Sequence, residues 1–372
     1  MGAMKLALSM KVYLILANNS GGLYRFRKDL MEKMIQDGHC IYAVTPFDES
    51  INELRQIGVH LIEQQMNRRG TNPIQELKLL LAYMRVVRKI CPDMIITYTI
   101  KPGIYGGLIA RCVKIPYAVN ITGLGTAFQR KRLFQKMIVR LWKTALKSAK
   151  CVFFENEENA QYFQRLSIVD GKRICVLHGA GVNLNEFPLT EYPMVQQEIR
   201  FLFIGRVMRE KGIDELLDAM ERLQRRYQDI MLDVIGWCEE DYERRLGELQ
   251  QRGFVRFHGF QSDVKPFIAN AHAFVLPSYH EGMANTLLEA AAMGRPLITS
   301  NIHGCMEAVV HGETGLLCEV QNVQSLEEQM ERFINLPYEE KCVMGRLSHE
   351  HVARYFDKRK VVQETVDKLY SI

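Results

Sequence analysis

The 372-residue chain lacks several patterns that would assign it to a common class of protein. No apolar run reaches the roughly 18 residues that a transmembrane helix needs, so we expect no membrane-spanning segment. Its nine cysteines form no C-x-x-C pair and match no zinc framework, which indicates reduced thiols in a cytosol. The absence of a G-x-G-x-x-G fingerprint disfavours a dehydrogenase, and there is no Walker loop.

Acidic residues are scarce in the first half of the chain. Residues 1–190 contain 27 Lys and Arg but 14 Asp and Glu, whereas residues 191–372 contain 21 and 29. This excess of positive charge favours an anionic partner for the first half. Because no nucleic-acid recognition motif accompanies the charge, we expect an anionic membrane surface rather than nucleic acid.

Strand-like and helix-like segments alternate in two successive series, which predicts two parallel α/β domains. Between the series, residues 178–198 are rich in turn residues and prolines, as in an interdomain connection. We expect domains at 1–188 and 189–355, and a C-terminal helix at 356–372 that packs back on the N-terminal domain. The strand-like runs are 10–17, 40–45, 93–98, 117–120 and 151–155, then 199–204, 231–235, 255–258, 273–276 and 296–300.

The most informative segment covers residues 278–292, where Glu281 and Glu289 stand eight residues apart. Eight residues make about 2.2 helical turns, so the spacing predicts both carboxylates on one side of a helix. A strand end, the turn at Gly282 and a helix N-terminus would also form an anion site. Carboxylates beside an anion site suit a nucleotide-sugar, but a buried strand–turn–helix with an ordinary first-turn acid explains the segment equally well.

Two strand–helix junctions carry groups that suit phosphate. Arg206 and Lys211 lie in a glycine-framed segment, where Arg206 can fork onto two diphosphate oxygens and Lys211 adds a point charge. Both would stabilise negative charge on a departing phosphate, although a solvated basic loop has the same pattern. At Asn18–Gly22 the glycines would let backbone amides approach a ligand, and a tight turn is the alternative.

Residues 129–150 combine cations on one helical face with apolar residues, including Trp142, on the other. This pattern is typical of a helix that lies on a membrane surface, where each cation contributes about 1 kcal/mol. We therefore expect this segment to dock the first domain on the cytoplasmic leaflet. A domain helix with an apolar face in the core and solvated cations would show the same pattern.

Taken in order, the motifs resemble those of the retaining GT-B glycosyltransferases of family 4, over nearly the whole chain. Within that family the chain is similar to bacterial enzymes that extend polyprenyl-diphosphate-linked glycans, such as N-acetylgalactosaminyltransferases. The motifs of the family are Gly181-Val182-Asn183, Gly205-Arg206, Lys211-Gly212, Pro277-Ser278, Glu281-Gly282, Glu289-Ala290, Gly304, Glu307 and Gly312–Leu317, and those of the subgroup are Tyr24–Arg27, Thr122–Gly125, Glu155-Asn156, Asn159-Ala160, Gly304-Cys305 and Glu307-Ala308.

The resemblance implies an α/β GT-B fold, in which two Rossmann-like domains face each other across a cleft. It implies transfer of a hexose or N-acetylhexosamine from a UDP-sugar, with retention, to a lipid-linked or polysaccharide acceptor in bacterial surface glycan synthesis. The acceptor would be a sugar on a polyprenyl diphosphate, and the enzyme would be cytoplasmic and peripheral on the inner face of the plasma membrane. No cofactor or metal is expected, because the chain has no Asp-x-Asp pair, the usual magnesium-binding device of metal-dependent sugar transferases.

Site residues follow from the resemblance position by position. It implies that Arg206 and Lys211 hold the donor diphosphate, that Glu281 contacts the transferred sugar, and that Glu289 binds the ribose hydroxyls. Many relatives have His-Gly where this chain has Thr122-Gly123, so no general base is assigned. The other implied donor-side positions are Gly205, Gly282, Met283, Ala284, Gly21, Gly22 and Phe260, and the acceptor-side candidates are Thr122, Lys101 and Arg25.

Three other functions remain compatible with the sequence. A nucleotide-sugar 2-epimerase and a transferase to a soluble acceptor, such as sucrose or glycogen, share the fold. A catalytically silent nucleotide-sugar-binding subunit would be expected to have lost Arg206, Lys211 or Glu281, and all three are present. Product analysis with labelled UDP-sugars separates these alternatives.

Overall fold

The computed structural model describes residues 9–67, 70, 72–123, 132–194 and 198–372. The chain forms two compact units: unit 1 is Met1–Ala180 with Arg359–Ile372, and unit 2 is Gly181–Lys358. The first division falls before the boundary expected after residue 188. Val182 forms a parallel bridge with Asp357, which joins this part of the connection to unit 2.

Unit 1 is built on a parallel sheet with the strand order β3-β2-β1-β4-β5-β6-β7 in the described residues. The strands β4, β5 and β6 are buried along their whole length, as their continuous apolar sequences predict for a parallel sheet covered on both faces. The strands are β1 (Val12–Leu16), β2 (Cys40–Thr45), β3 (His60–Glu63), β4 (Met94–Tyr98), β5 (Tyr117–Ile121), β6 (Cys151–Phe154) and β7 (Ile174–Val176).

Helices connect these strands, and the C-terminal helix Lys358–Tyr370 packs on the same core through Val361, Val366 and Leu369. The first helix begins after Asn19, whose side chain accepts a hydrogen bond from the Gly22 amide at 2.8 Å. The helices of the first series are α1 (Ser20–Gln36), α2 (Ile51–Gln56), α3 (Pro73–Ile90), α4 (Ile100–Val113), α5 (Arg132–Leu146) and α6 (Glu157–Arg165).

Helix α5 covers most of the segment predicted to lie on a membrane. Its described apolar side chains Ile138, Trp142 and Leu146 are buried in the core of unit 1. Close packing requires Gly103 on α4, since a Cβ there would lie 2.6 Å from the Trp142 ring. These three side chains therefore belong to the core, whereas Met137 on the same helix is 50% exposed, and contact of α5 with a membrane stays a prediction. Residues 129–131 lie outside the described part of the chain, and no helix within that part is long and apolar enough to cross a membrane.

Unit 2 contains a second parallel sheet with the order β10-β9-β8-β11-β12-β13 in the described residues. The strands are β8 (Ile199–Ile204), β9 (Ile230–Ile235), β10 (Val255–Phe257), β11 (Ala273–Leu276), β12 (Leu297–Ser300) and β13 (Gly315–Cys318). The helices are α7 (Ile213–Gln224), α8 (Glu243–Gln251), α9 (Lys265–Asn270), α10 (Asn285–Ala292), α11 (Val323–Asn335) and α12 (Tyr338–Tyr355).

The strand order of unit 2 reverses direction between β8 and β11, which lie side by side although they are far apart in sequence. Open parallel sheets bind ligands at such a switch point, outside the carboxyl ends of the strands. The segment that carries Arg206 and Lys211 follows β8, and the segment that carries Glu281 follows β11. The fold therefore brings the two principal motifs to one edge of the sheet.

Candidate active site

The segment after β8 lies against the end of β9 at a distance that only glycine permits. Gly236 has a φ of +142°, and a Cβ there would lie 1.8 Å from the carbonyl oxygen of Gly205. The Gly205 amide donates to Ile235 O at 3.0 Å. Arg206 follows, with its side chain 39% exposed and its Nη1 3.4 Å from Glu239 Oε2. This long, partly solvated contact leaves the guanidinium able to turn toward an anion.

Trp237, Glu239 and Glu240, which follow β9, hold residues 205–212 in place, and this stretch is called the cationic segment. The Val207 amide donates to Trp237 O at 2.9 Å, and the Glu239 amide donates to Val207 O at 3.0 Å. A side-chain oxygen of Glu240 accepts from the Arg209 amide at 2.8 Å. The sequence of Glu239, Glu240 and Asp241 suggested a solvated helix start, but α8 begins at Glu243, and Glu239 and Glu240 contact the segment after β8 instead.

The segment that follows β8 also packs against the segment that follows β11. Gly212 has a φ of +70°, and a Cβ there would lie 2.0 Å from the Pro277 carbonyl oxygen. The Tyr279 amide donates to Glu210 O at 2.9 Å. These backbone contacts place Lys211 beside Glu281.

Lys211 and Glu281 form a direct ion pair, with side chains 19% and 12% exposed. The buried Ser278 donates from its hydroxyl to Glu281 Oε1 at 2.8 Å. Two donors on one carboxylate oxygen fix the orientation of Glu281, and charge-assisted hydrogen bonds of this kind are the strong ones. Two residues predicted to act on the same ligand, 70 positions apart in sequence, therefore meet in the structure.

A glycine turn after β12 supports Glu281 from behind. Gly304 has a φ of +89°, and a Cβ there would lie 2.8 Å from the Cβ and carbonyl oxygen of Glu281. Its carbonyl oxygen accepts from the Ala284 amide at 2.8 Å. The Ala284 amide is thus hydrogen-bonded within the protein, and the donor-side role implied for Ala284 stays a prediction.

Glu281 and Glu289 do not lie on the same helix. Helix α10 begins at Asn285, so Glu281 precedes it and Glu289 lies within it. The prediction of two carboxylates on one helical face is wrong because the turn through Gly282 comes before the helix. Glu289 is 6% exposed, and Met283 and Ala284 belong to the core of unit 2.

Neighbouring titratable groups stay neutral. Burial raises the pKa of the Cys305 thiol, and the nearby Glu281 carboxylate adds to the rise. Burial also raises the pKa of Tyr279 to about 12, and its hydrogen bond to Glu215 acts in the same direction. Neither group is ionised near neutral pH, so neither is a nucleophile there. Within the described part of the chain, no three His, Cys, Asp or Glu side chains form a group that could hold a metal ion.

The predicted donor-side glycines of unit 1 have a local structural explanation. A Cβ on Gly22 would lie 2.4 Å from Asn19 Oδ1, the atom that caps α1. A Cβ on Gly21 would lie 2.7 Å from Glu49 Oε2. A side chain at position 22 would displace the capping oxygen of Asn19, and one at position 21 would displace the Glu49 carboxylate. The contact of both glycines with the donor stays a prediction.

The acceptor-side candidates of unit 1 differ in their surroundings. Lys101 donates to Asn67 O at 2.6 Å and Gly70 O at 2.7 Å, and it pairs with Glu76 at 2.5 Å. It therefore holds the α3–α4 region together, which argues against a direct role in acceptor binding. Arg25 is exposed on α1, and Thr122 is half-buried directly after β5.

A buried ion pair in unit 1 was missed from the sequence. Arg27 Nη2 lies 2.7 Å from Glu155 Oε1, both side chains are 10% exposed, and the Arg27 guanidinium sits 4.9 Å from the centre of the Tyr98 ring. The signal was a cation four residues after Leu23, on the apolar face of α1. A charge at such a position is rarely buried without a partner.

Two glycosyltransferase family models match the chain, one in each unit. "Glycosyl transferase 4-like" matches residues 13–156, and "Glycosyl transferases group 1" matches residues 191–348. The match to residues 191–348 contains the Lys211–Glu281 ion pair and the segment that carries Arg206. Between them the two models cover most of both sheets.

Curated relatives and solved structures agree with these matches. An N,N'-diacetylbacillosaminyl-diphospho-undecaprenol alpha-1,3-N-acetylgalactosaminyltransferase of Campylobacter jejuni is 28% identical over 335 residues, 85% of this chain and 87% of the relative. A UDP-Gal:alpha-D-GlcNAc-diphosphoundecaprenol alpha-1,3-galactosyltransferase of Escherichia coli is 26% identical over 275 residues, 69% of this chain and 70% of the relative. The structure of Anabaena Alr3699/HepE with UDP-glucose is 18% identical, with a TM-score of 0.80 over 97% of this chain and 100% of that one.

The likeness to the Anabaena structure supports the fold. The two bacterial transferases are similar in sequence across most of each protein. Both sheets are parallel and covered by helices, as in the GT-B glycosyltransferases among the solved structures. The chain therefore belongs to the GT-B glycosyltransferases and resembles bacterial transferases that act on lipid-linked glycans.

Proposed function

We propose that this protein transfers a hexose or N-acetylhexosamine from a UDP-sugar, with retention, to a lipid-linked or polysaccharide acceptor in bacterial surface glycan synthesis. The observation that carries the proposal is the contact of Lys211 with Glu281 at the switch point of unit 2. At this point the ammonium of Lys211, which suits the leaving diphosphate, lies beside the carboxylate of Glu281, which suits the sugar.

In this mechanism Arg206 and Lys211 stabilise the negative charge that develops on the departing diphosphate. Glu281 supports the positive charge that develops on the sugar, and Ser278 and Lys211 keep its carboxylate oriented. The acceptor hydroxyl attacks from the face that the diphosphate leaves, and a phosphate oxygen takes its proton. Catalysis then rests on orientation and charge stabilisation and needs no dedicated base.

The lipid-linked acceptor is supported by the activities for which the two bacterial relatives described above are named. Exposed cations on α5, including Lys136, Arg140 and Lys143, suit an anionic membrane surface such as the inner face of the plasma membrane. Because Ile138, Trp142 and Leu146 of α5 are buried, we propose electrostatic contact without insertion of these side chains. A cytoplasmic, peripheral location follows from this proposal.

A panel of nucleotide-sugars tests the donor first. A donor present at 100 times its Kd adds about 2.7 kcal/mol to the free energy of unfolding, so UDP-sugars are expected to raise Tm. Radiolabelled forms of the sugars that bind are then incubated with a lipid-linked acceptor. Label in the lipid fraction and an unchanged anomeric configuration are expected, with turnover that EDTA does not reduce.

The same products separate the alternatives. Epimerised sugar without acceptor would identify an epimerase, and label in a soluble glucan would identify a soluble acceptor. Binding without any product, for every acceptor, would identify a silent binding subunit. Inversion at the anomeric carbon or loss of turnover in EDTA would contradict the retaining, metal-independent mechanism.

A further inference from the structure

A cavity of about 500 Å³ opens at the amino edge of the unit 1 sheet, between the end of α5, the end of α6 and the start of β7. Its volume lies within the usual range of small-molecule sites, about 300–1,000 Å³. Thr122 follows β5 at the carboxyl edge, so the cavity lies at the opposite edge of the sheet from this acceptor-side candidate. The polar side chains that line the cavity are Lys143, Lys147, Gln164, Ser167, Asp170 and Arg173.

Arg173 is held in place by the end of α5. Its Nη1 donates to the carbonyl oxygens of Leu146, Lys147 and Ala149 at 3.0, 2.9 and 3.4 Å. Carbonyl groups at the end of a helix have no intrahelical partner, and a cation there also interacts favourably with the helix dipole. Among the described residues, no hydrogen bond uses the Nε or Nη2 of Arg173. The guanidinium is therefore fixed on one side and can donate to a ligand from the other.

Two lysines add positive charge that the fold of unit 1 does not use. Lys143 and Lys147 are exposed and four residues apart, so they lie on the same face at the end of α5. Neither forms an ion pair within the part of the chain that the structure describes. Because Arg173 already satisfies carbonyl groups at this helix end, the lysines are not needed as caps. Like charges at this spacing repel each other, and a bound anion would relieve the repulsion.

The charge of the lining indicates the kind of anion. Three cations and one carboxylate line the cavity, and the carboxylate is that of Asp170, whose Oδ1 accepts from the Lys172 amide at 3.0 Å. The difference of two positive charges matches a phosphate monoester, which carries about −1.5 to −2 near pH 7. A carboxylate or a phosphate diester carries a single negative charge and would leave the cavity positive. Gln164 and Ser167 add neutral donors for further phosphate oxygens.

We propose that this cavity binds a phosphate monoester that is neither the sugar donor nor the acceptor. Arg173 donates to the phosphate oxygens from its Nε and Nη2, and Lys143 and Lys147 approach them from the end of α5. The monoester belongs either to a soluble ester or to the headgroup of a lipid, since both present the same group. The inference concerns unit 1 alone and does not depend on sugar transfer at unit 2.

Calorimetry with methyl phosphate tests the cavity with a small probe of this class. Changing Lys143 and Lys147 together to Gln is expected to weaken binding about tenfold or more, because two charge-assisted contacts are lost. Changing Lys136 and Arg140 together to Gln is the matched control, because both are exposed on α5 outside the cavity and the loss of charge is the same. The control is expected to change the affinity by less than about twofold. Any binding of methyl phosphate at unit 2 is the same in both variants, so their difference reports the cavity.

Asp170→Asn changes the affinity in the opposite direction. Asparagine keeps an oxygen that can accept from the Lys172 amide but removes the carboxylate, so binding of methyl phosphate is expected to tighten about 1.5- to 5-fold. General damage to the fold would not raise the affinity. Dimethyl phosphate, a diester, is expected to bind the wild-type protein more weakly than methyl phosphate does.

Vesicle flotation separates the two sources of the monoester. Phosphatidylcholine vesicles with phosphatidic acid present a monoester, whereas the same vesicles with phosphatidylglycerol present a diester. A preference for phosphatidic acid that is lost with Lys143 and Lys147, but kept in the Lys136 and Arg140 variant, would identify a lipid headgroup. Equal binding to both kinds of vesicle, with binding of methyl phosphate lost in the Lys143 and Lys147 variant, would identify a soluble ester.

Equal losses of methyl phosphate affinity in the two double variants would overturn the inference, since that pattern shows diffuse attraction to a basic surface. A wild-type protein that binds neither methyl phosphate nor phosphatidic acid would also overturn it. Either result would leave the proposed sugar transfer at unit 2 intact.

Discussion

At the scale of single residues, the candidate site depends on close backbone approach more than on sequence spacing. Lys211 reaches Glu281 because Gly212 lies against Pro277 and Gly304 lies against Glu281. Spacing alone suggested that Glu281 and Glu289 share a helical face, whereas the helix begins between them. Residue identities suggested a chemistry for the site, and tertiary contacts determined which side chains meet.

Lys211 and Glu281 are expected to be energetically coupled, because each neutralises a charge that is largely buried. Lys211→Met should lower the free energy of unfolding, and Glu281→Gln added to it should restore part of the loss without restoring turnover. A coupling of about 1–3 kcal/mol is expected in a double-mutant cycle by urea unfolding. Additive effects would contradict the coupling, and Arg244→Met, at a side chain that is 89% exposed, is the control that should change little.

Gly304→Ala is expected to reduce both stability and turnover. Its Cβ would press on Glu281 from a backbone with φ of +89°, and such strain costs about 1–3 kcal/mol. Gly247→Ala in α8 is the matched control, because nothing lies within 4 Å of its Cβ and alanine favours a helix by about 0.5–1 kcal/mol. Thermal unfolding and sugar transfer are measured for both, and an undiminished Gly304→Ala enzyme would contradict the role of this turn.

His272 is expected to make unit 2 sensitive to acid. Burial lowers the pKa of His272 to about 4, and its Nδ1 accepts from the Arg200 amide at 2.9 Å. The unfolded chain binds a proton at this side chain below its ordinary pKa of about 6.5, whereas the folded protein resists it until about pH 4. The free energy of unfolding should therefore fall as pH drops from about 6.5 to 4.

Chemical unfolding of the wild type and His272→Gln across this range measures the effect. Glutamine can still accept from the Arg200 amide but does not titrate, so the variant should lose less stability on acidification. Parallel pH profiles for the two proteins would contradict the assignment to His272.

At the scale of elements, continuous apolar runs predicted the buried strands well, whereas short strands at the sheet edges were predicted poorly. The buried runs at β4, β5 and β11 were predicted from their composition. Strands β3, β7 and β13, which lie at sheet edges, were missed. Strand β3 has exposed ends, β7 is a half-buried strand of three residues, and β13 is a strand of four residues that begins at a glycine. Edge strands bury less surface, so their sequences carry a weaker periodic signal.

Helix α5 shows the limit of amphipathic patterns, since the same apolar face suits a membrane or a core.

Vesicle flotation distinguishes electrostatic binding from insertion. Changing Lys136, Arg140 and Lys143 of α5 together to Gln should weaken salt-sensitive binding to anionic vesicles. A triple Gln change at the exposed Arg85, Arg88 and Lys89 of α3 is the control and should weaken it less. Emission of the buried Trp142 should not shift on binding. Equal loss in both triple variants, or binding that salt does not reduce, would contradict the proposal.

At the scale of the whole molecule, two α/β units and the family could be predicted from ordered motifs. Apart from Gly21 and Gly22, the residues expected to bind the donor lie in unit 2, and their order along its sheet edge follows from topology that no single motif contains. The Arg27–Glu155 pair joins residues 128 positions apart, so it could not be found without the fold of unit 1. Long-range contacts of this kind are the part that local patterns leave undetermined.

Turnover of Arg206→Ala and Glu281→Ala with a labelled UDP-sugar and a lipid-linked acceptor tests the central claim most directly. Loss of one stabilising contact on the departing charge costs about 3 kcal/mol, so the account predicts at least a hundredfold lower kcat in variants with wild-type unfolding curves. A correctly folded Arg206→Ala or Glu281→Ala protein with wild-type turnover would contradict it.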